Sequence, residues 1–350
     1  NPISRPGIRV TALIAAACLL LAPAARADDG YRLWLRYVPV RGEWLSRYRA
    51  GAHDLVGADG GVAQAELLRG LTGMLGAPPR IAADVTRDGA IVFGTPRSSA
   101  LVRSLPLDLQ RVGSQGYVIR SLTIHGHRAT VIAANTDVGV LYGAFRFLRL
   151  LQMREPIGHL HLAAHPAIRR RILDHWDNLN GTVERGYAGG SLWQWQSLPE
   201  HLSPRYTDYA RACASIGING AVLDNVNAAP EILTPLYLHK VAAIAGVLRP
   251  YGIRVYLSVP FSAPVTLGKL RSADPLDPGV RAWWAAKVAE IYRDIPDFGG
   301  FLMKANSEGQ PGPEDYGRTQ AQGADLLARA LAAHGGIVMW RAFVYSTGRS

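Results

Sequence analysis

Hydrophobic positions along this chain follow two rhythms. Up to about Gln152 the pattern is mixed. Ile91, Val92 and Phe93, closed by Gly94, read as a buried strand, and the alternating segments 117–124 and 128–134 flank His125, Gly126 and His127 as the arms of a β-hairpin. Behind Asp137, which is placed to cap a helix, Val140, Leu141, Ala144, Phe147, Leu148 and Leu151 recur at helical spacing. This predicts a small α/β domain over residues 28–152. Residues 153–170, with two prolines and three histidines, read as a linker.

Beyond the linker the rhythm is strand, loop, helix, repeated. Apolar or β-branched runs occupy 171–177, 217–226, 252–260, 299–306 and 336–341, and helical patterns lie between them at 206–215, 233–249, 279–293 and 317–333. Such alternation implies right-handed βαβ units and a parallel sheet. The runs end in polar groups: Asp177 and Asn178, Asp224 and Asn225, Lys304 and Asn306, Arg341. In a (β/α)8 barrel those strand ends carry the chemistry. No G-x-G-x-x-G or P-loop follows a strand, which disfavours a nucleotide fold. Residues 171–350 therefore read as an incomplete (β/α)8 TIM barrel, α/β in class, with about five of the eight strands that the fold requires.

Composition narrows the function. A chain of 350 residues with 48% hydrophobic content is too apolar to be disordered. Its 38 Lys+Arg exceed its 27 Asp+Glu by 11 charges. Only four of the basic residues are lysines (Lys240, Lys269, Lys287 and Lys304), and the arginines are scattered; the longest basic run is Arg169, Arg170 and Arg171. Scattered charge argues against nucleic acid as a partner, since a nucleic-acid binder gathers cations on one face.

At the N-terminus, Arg5 and Arg9 precede an apolar stretch, 10–22, followed by Pro23 and Ala25-Arg26-Ala27. This is the pattern of a signal peptide over residues 1–27, with an apolar core shorter than the roughly 18 residues a bilayer span needs. The expectation is an exported protein, periplasmic or extracellular, with no membrane association after cleavage. Cleavage would remove Cys18 and leave Cys213 alone, without an internal disulfide.

The chemistry concentrates in 301–313, where a buried strand delivers Lys304 and a loop rich in Gly and Pro delivers Glu308. A lone loop carboxylate is ordinarily a solvated surface group. Its place at the fourth strand end, beside one of only four lysines, points instead to a glycosidase acid. Trp176, at the end of the first strand, offers a sugar ring a flat face, with core packing as the competing use. Arg341 ends the fifth strand with a fork suited to a carboxylate, with a structural ion pair as the alternative. Asp177 and Asn306 are further candidates for substrate contact. Asp224 and Asn225 fit either substrate contact or capping.

The segments 31–37 (YRLWLRY), 139–145 (GVLYGAF), 174–189 (DHWDNLNGTVERGYAG), 304–313 (KANSEGQPGP) and 339–345 (MWRAFVY) resemble those of the α-glucuronidases of glycoside hydrolase family 67. The resemblance implies an N-terminal α/β domain, a (β/α)8 barrel and a C-terminal helical domain. It implies removal of (4-O-methyl-)glucuronic acid, α-1,2-linked to the terminal xylose of xylo-oligosaccharides from glucuronoxylan, with inversion and without metal or other cofactor. Carried over, Glu308 matches the general acid, Lys304 and Arg341 match groups around the uronic acid carboxylate, and Trp176 lines the sugar site. The family's general base, an Asp partnered by a Glu, belongs to later strands absent from this chain. After Tyr345 the sequence departs from the pattern. These residues alone are expected to hydrolyse little, and a homodimer through a C-terminal region is a further expectation. The competing readings are a non-catalytic remnant that holds acidic sugars and a retaining barrel glycosidase.

Overall fold

The computed structural model describes residues 28–57, 60–185 and 189–341. The expected signal peptide and the segment after Tyr345 lie outside the described residues. The chain divides into a short unit ending at Trp34 and a second unit from Leu35 to Ser350. In the first, the Asp28 and Asp29 carboxylates accept the backbone N–H groups of Gly30 and Tyr31 at 2.9 and 3.0 Å, the local turn chemistry that Asp favours.

The second unit holds two sheets. The first consists of β1 (Asp54–Gly57), β2 (Arg80–Ala82), β3 (Ala90–Gly94), β4 (Tyr117–Ile124), β5 (His127–Ala133) and β6 (His161–Ala164), in the order β2-β1-β3-β5-β4-β6. Neighbours from β2 to β5 are parallel, and β4 runs antiparallel to β5 and β6. The expected hairpin is β4–β5. Its two-residue turn has positive φ at His125 (51°) and Gly126 (84°), as the twist of a tight hairpin demands.

The principal helices of the unit are α1 (Glu43–Gly51), α2 (Val62–Leu75), α3 (Asp137–Gln152), α4 (Pro204–Ser215), α5 (Pro235–Leu248), α6 (Pro278–Asp294) and α7 (Gln320–Ala332). The cap of α3 is Thr136, whose hydroxyl accepts the Gly139 N–H at 3.2 Å. Asp137, expected as the cap, is instead the first helical residue, where its charge meets the positive end of the helix dipole. Residues 153–170 also differ from a bare linker. They contribute β6, which pairs with β4 from Tyr117↔Ala164 to Arg120↔His161 and covers its otherwise open edge.

The second sheet is wholly parallel: β7 (Ile172–Asp174), β8 (Gly220–Val222), β9 (Arg254–Ser258), β10 (Gly300–Lys304) and β11 (Ile337–Arg341), each beside its neighbour in the chain. This is an incomplete (β/α)8 barrel. Side chains alternate along each strand. Ala221, Leu223, Val255, Leu257, Phe301 and Met303 pack outward with the helices, together with the fully buried Trp193, Trp195 and Trp284. Val222, Tyr256 and Leu302 face the other way and meet Trp176, Ile337 and Met339. Cys213 packs within the outer layer, and burial pushes its thiol up to about 11. Among the described residues no helix is long and apolar enough to cross a membrane.

A buried ion pair ties the two sheets together. Glu66 of α2 is 1% exposed and Arg211 of α4 is 8% exposed. Arg211 donates to both Glu66 oxygens, at 2.7 and 2.8 Å, while the Tyr37 hydroxyl and Arg69 donate to the same carboxylate at 2.5 and 3.0 Å. Burial, and then the Glu66 charge, hold the Tyr37 phenol well above its ordinary range. Gly252 adds a steric constraint, because its left-handed backbone (φ 73°) leaves a Cβ only 2.7 Å from the side chain of Val138 at the start of α3. Removing one member of a buried pair strands the other, so Arg211→Met should cost about 3–5 kcal/mol in urea unfolding. The double variant Glu66→Leu, Arg211→Met should recover most of that loss; if each change costs the same alone or together, the pair is not what joins the layers.

Candidate active site

The site begins with the alternation of β10. Lys304 ends the strand 2% exposed, and an ammonium so placed requires partners. It donates to Asn227 Oδ1 at 2.8 Å and pairs with Glu308 Oε2. Glu308 reaches it from a tight turn in which the Gln310 N–H returns to the Ser307 carbonyl at 2.9 Å. The central residues Glu308 and Gly309 have φ of 50° and 78°. Two positive φ values in succession suit Asn or Gly, and a Glu held there carries about 1–2 kcal/mol of strain. Its side chain remains 64% exposed and borders a cavity of about 550 Å³ lined by residues 306–311, Glu314 and Asp315. The hydrogen bond and charge of Lys304 hold the Glu308 carboxyl below its ordinary range, with Arg341 and Arg185 adding to the effect.

Arg341 lies in register with Lys304 on the adjacent strand. Its guanidinium sits 6.0 Å over the Trp176 ring, within the range of a cation–π contact. The Trp176 indole in turn donates to Asp174 at 3.3 Å. Trp176, Lys304, Glu308 and Arg341 thus share the C-terminal end of the parallel strands, two cations and an aromatic face beside one accessible carboxyl.

Asp177 and Asn306, expected to contact substrate, have their polar groups engaged within the protein. Asp177 is 4% exposed, and its Oδ2 accepts the Ser191 hydroxyl at 2.5 Å and the Leu192 N–H at 3.1 Å. The Asn306 carbonyl accepts the Glu314 N–H and the Gln320 amide at 3.0 and 3.2 Å, and its amide donates to Asp315 at 3.2 Å. Gly312 must lack a Cβ at this crossing, since one would stand 2.2 Å from Asn306 Oδ1. Both residues anchor the loops that set Trp176 and Glu308 in place, and Asn306 also lines the cavity beside Glu308.

Two residues, Asn227 and Arg185, escape the sequence reading. Asn227 joins Lys304 to Glu184, donating to the latter at 3.3 Å; the polar run Asp224, Asn225, Asn227 was its only signal. Arg185 contributes charge at Glu308. Asp224 is 2% exposed and accepts the Ser258 N–H at 2.8 Å. Burial first, then the charges of Asp174 and Asp177, push its carboxyl well above the ordinary range, against the lowering effect of Ser258. Asn225 bridges to Asn178 at 3.0 Å. Both members of the Asp224–Asn225 pair thus hold the strand ends.

Residues 33–147 match the N-terminus of glycosyl hydrolase family 67, and residues 150–350 match its middle domain. The probable α-glucuronidase A of Neosartorya fischeri is 39% identical over 346 residues, which cover 97% of this chain and 40% of that protein. The α-glucuronidase A of Emericella nidulans is 38% identical over 342 residues, 93% of this chain and 39% of that protein. The chain thus spans about two fifths of the length of these curated relatives. Among solved structures, a GH138 enzyme targeting pectin rhamnogalacturonan II aligns with a TM-score of 0.50 at 12% identity, over 81% of this chain and 41% of that one, a likeness of fold. With one domain profile covering more than half of its residues and the other most of the remainder, the chain belongs to glycosyl hydrolase family 67.

Proposed function

We propose that the chain serves an exported α-glucuronidase that releases α-1,2-linked (4-O-methyl-)glucuronic acid from xylo-oligosaccharides with inversion of configuration. The observation that carries this reading is the Lys304–Glu308 pair, with Arg341 beside it, at one strand end. Two cations suit a substrate that is itself a carboxylate, and Arg341 supplies a bidentate fork. Glu308 donates its proton to the departing xylose oxygen. The Trp176 face packs against the sugar ring. Inversion requires a second carboxylate about 6.5–9.5 Å from the acid, to activate water on the opposite face.

Lys304 creates a conflict within this scheme. A general acid must hold its proton, yet Lys304 favours the ionised form of Glu308. The substrate's carboxylate resolves it. Once the uronate pairs with Lys304 and Arg341, their charge is offset, an extra anion lies close by, and the Glu308 pKa rises.

Glu308→Gln in the native gene product should lower turnover on unactivated aldouronic acids by about 10²–10⁴-fold. Proton NMR of the wild-type reaction should show the β-anomer first. Undiminished turnover removes Glu308 from the role, and initial α-anomer means a retaining mechanism. The pH profile carries a separate expectation. Activity falls as pH rises through the pKa of a general acid, so the high-pH limb of kcat, which reports the complex, should lie above that of kcat/KM, which reports the free enzyme; coincident limbs refute the substrate-driven shift. Export, read from the N-terminal pattern, should leave a mature protein beginning at Asp28 in the periplasm or medium, and N-terminal sequencing that retains residues 1–27 would contradict it.

A further inference from the structure

We propose that the base of the parallel sheet, opposite the catalytic end, carries a second binding site, one that takes ligands bearing carboxylate or phosphate groups. A cavity of about 520 Å³ opens between the loop 110–115 and the starts of β8 and β9. Arg111, Arg169, Arg170, Arg254 and His165 line it, and no Asp or Glu contributes to its wall. Several arginines elsewhere are engaged by carboxylates: Arg80 and Arg87 by Asp54, Arg128 by Asp88, Arg318 by Asp274. Here only Arg111 has such a partner, Asp108 at 3.1 Å. Among the described residues no carboxylate forms an ion pair with Arg169, Arg170 or Arg254.

The wall is fixed in place by its own hydrogen bonds. Arg171, third in the basic run, donates through its guanidinium to the Gly217 carbonyl, to the Ile168 and Arg169 carbonyls and, at 2.6 Å, to the Gln115 side chain. Asn219 accepts the Arg171 N–H and donates to the Arg169 carbonyl, both at 2.8 Å, and to Gln115 at 3.1 Å. The backbone carrying Arg169 and Arg170 and the loop carrying Arg111 are thereby held against the start of β8. Burial raises the Tyr256 phenol, which lines the same cavity, and the charges of Arg254 and Arg170 both act against that rise. The planar forks of Arg169, Arg170 and Arg254, which carry no competing acid among the described residues, match the geometry of carboxylate and phosphate oxygens. A five-residue strand rises about 15 Å, so a ligand at the base stays clear of Lys304 and Glu308.

Titration calorimetry of the native gene product tests the site with pyrophosphate, trigalacturonate and, as a neutral control, xylotriose, at matched ionic strength. At least one anion should bind saturably and more weakly as salt rises; xylotriose should not bind at the base. Pyrophosphate alone would mark a phosphorylated ligand, and trigalacturonate an acidic sugar. Arg169→Gln with Arg254→Gln should weaken the anion at least about tenfold, as expected for lost charge-assisted hydrogen bonds, while Lys304→Met should leave it unchanged. Circular dichroism keeps folding separate, and Arg170→Gln is the second variant should the double change unfold. Absence of saturable binding to both anions, an unchanged affinity in the arginine variants, or loss through Lys304→Met overturns the proposal.

Discussion

An ammonium group at the end of β10, with 2% of Lys304 exposed, is the constraint around which the catalytic end is arranged. Transfer of a charge out of water is costly unless hydrogen bonds and an opposite charge replace the solvent. The fold supplies Asn227 from the loop after β8 and Glu308 from the turn after β10. The carboxyl proposed as the acid is therefore also the counter-ion that keeps Lys304 buried. Its partner is buried while Glu308 itself is mostly exposed, so an incoming anion can displace the carboxyl from Lys304 without opening the core.

The surrounding loops serve this arrangement. Asn306 gathers Glu314, Asp315 and Gln320 around one side chain, which fixes the segment on both sides of the strained Glu308 turn. Strain in a left-handed Glu persists only where its surroundings enforce it, and Asn306 with Gly312 is that enforcement. Asp177 does the same for β7, where its carboxylate ties down the segment at Ser191 and Leu192 and leaves Trp176 at the rim beneath Arg341.

The parallel sheet is legible in the sequence because buried strands read as unbroken apolar runs and the helices between them repeat at their own period. Strand ends are less so. The run 171–177 becomes a strand of three residues, since Asp177 leaves the sheet to bridge Val183. In the first sheet, β1, β2 and β6 have only three or four residues, too few for alternation to register, and β6 forms because β4 needs an edge partner. Within the site, Lys304, Glu308, Trp176 and Arg341 announce themselves by residue type and position. Asn227 does not, since an Asn past a strand end reads like any turn residue and acquires meaning only from Lys304, 77 positions away. The same limit explains Asp177: residue type predicts polarity at the strand ends, but only the packing decides whether a polar group faces the cleft or a loop.

The cost of ionising Glu308 also bears on selectivity. A neutral glycoside in the same cleft would leave Lys304 with Glu308 as its anionic partner, and the acid would stay ionised at the moment a proton is required. In the proposed scheme a uronide changes the protonation state of the group that protonates its own departing oxygen. In that scheme discrimination between the two resides in the transition state as well as in ground-state affinity, and the former is the place where binding energy raises the rate. A lysine that looks misplaced beside a general acid becomes, on this argument, the element that couples recognition of the carboxylate to proton transfer.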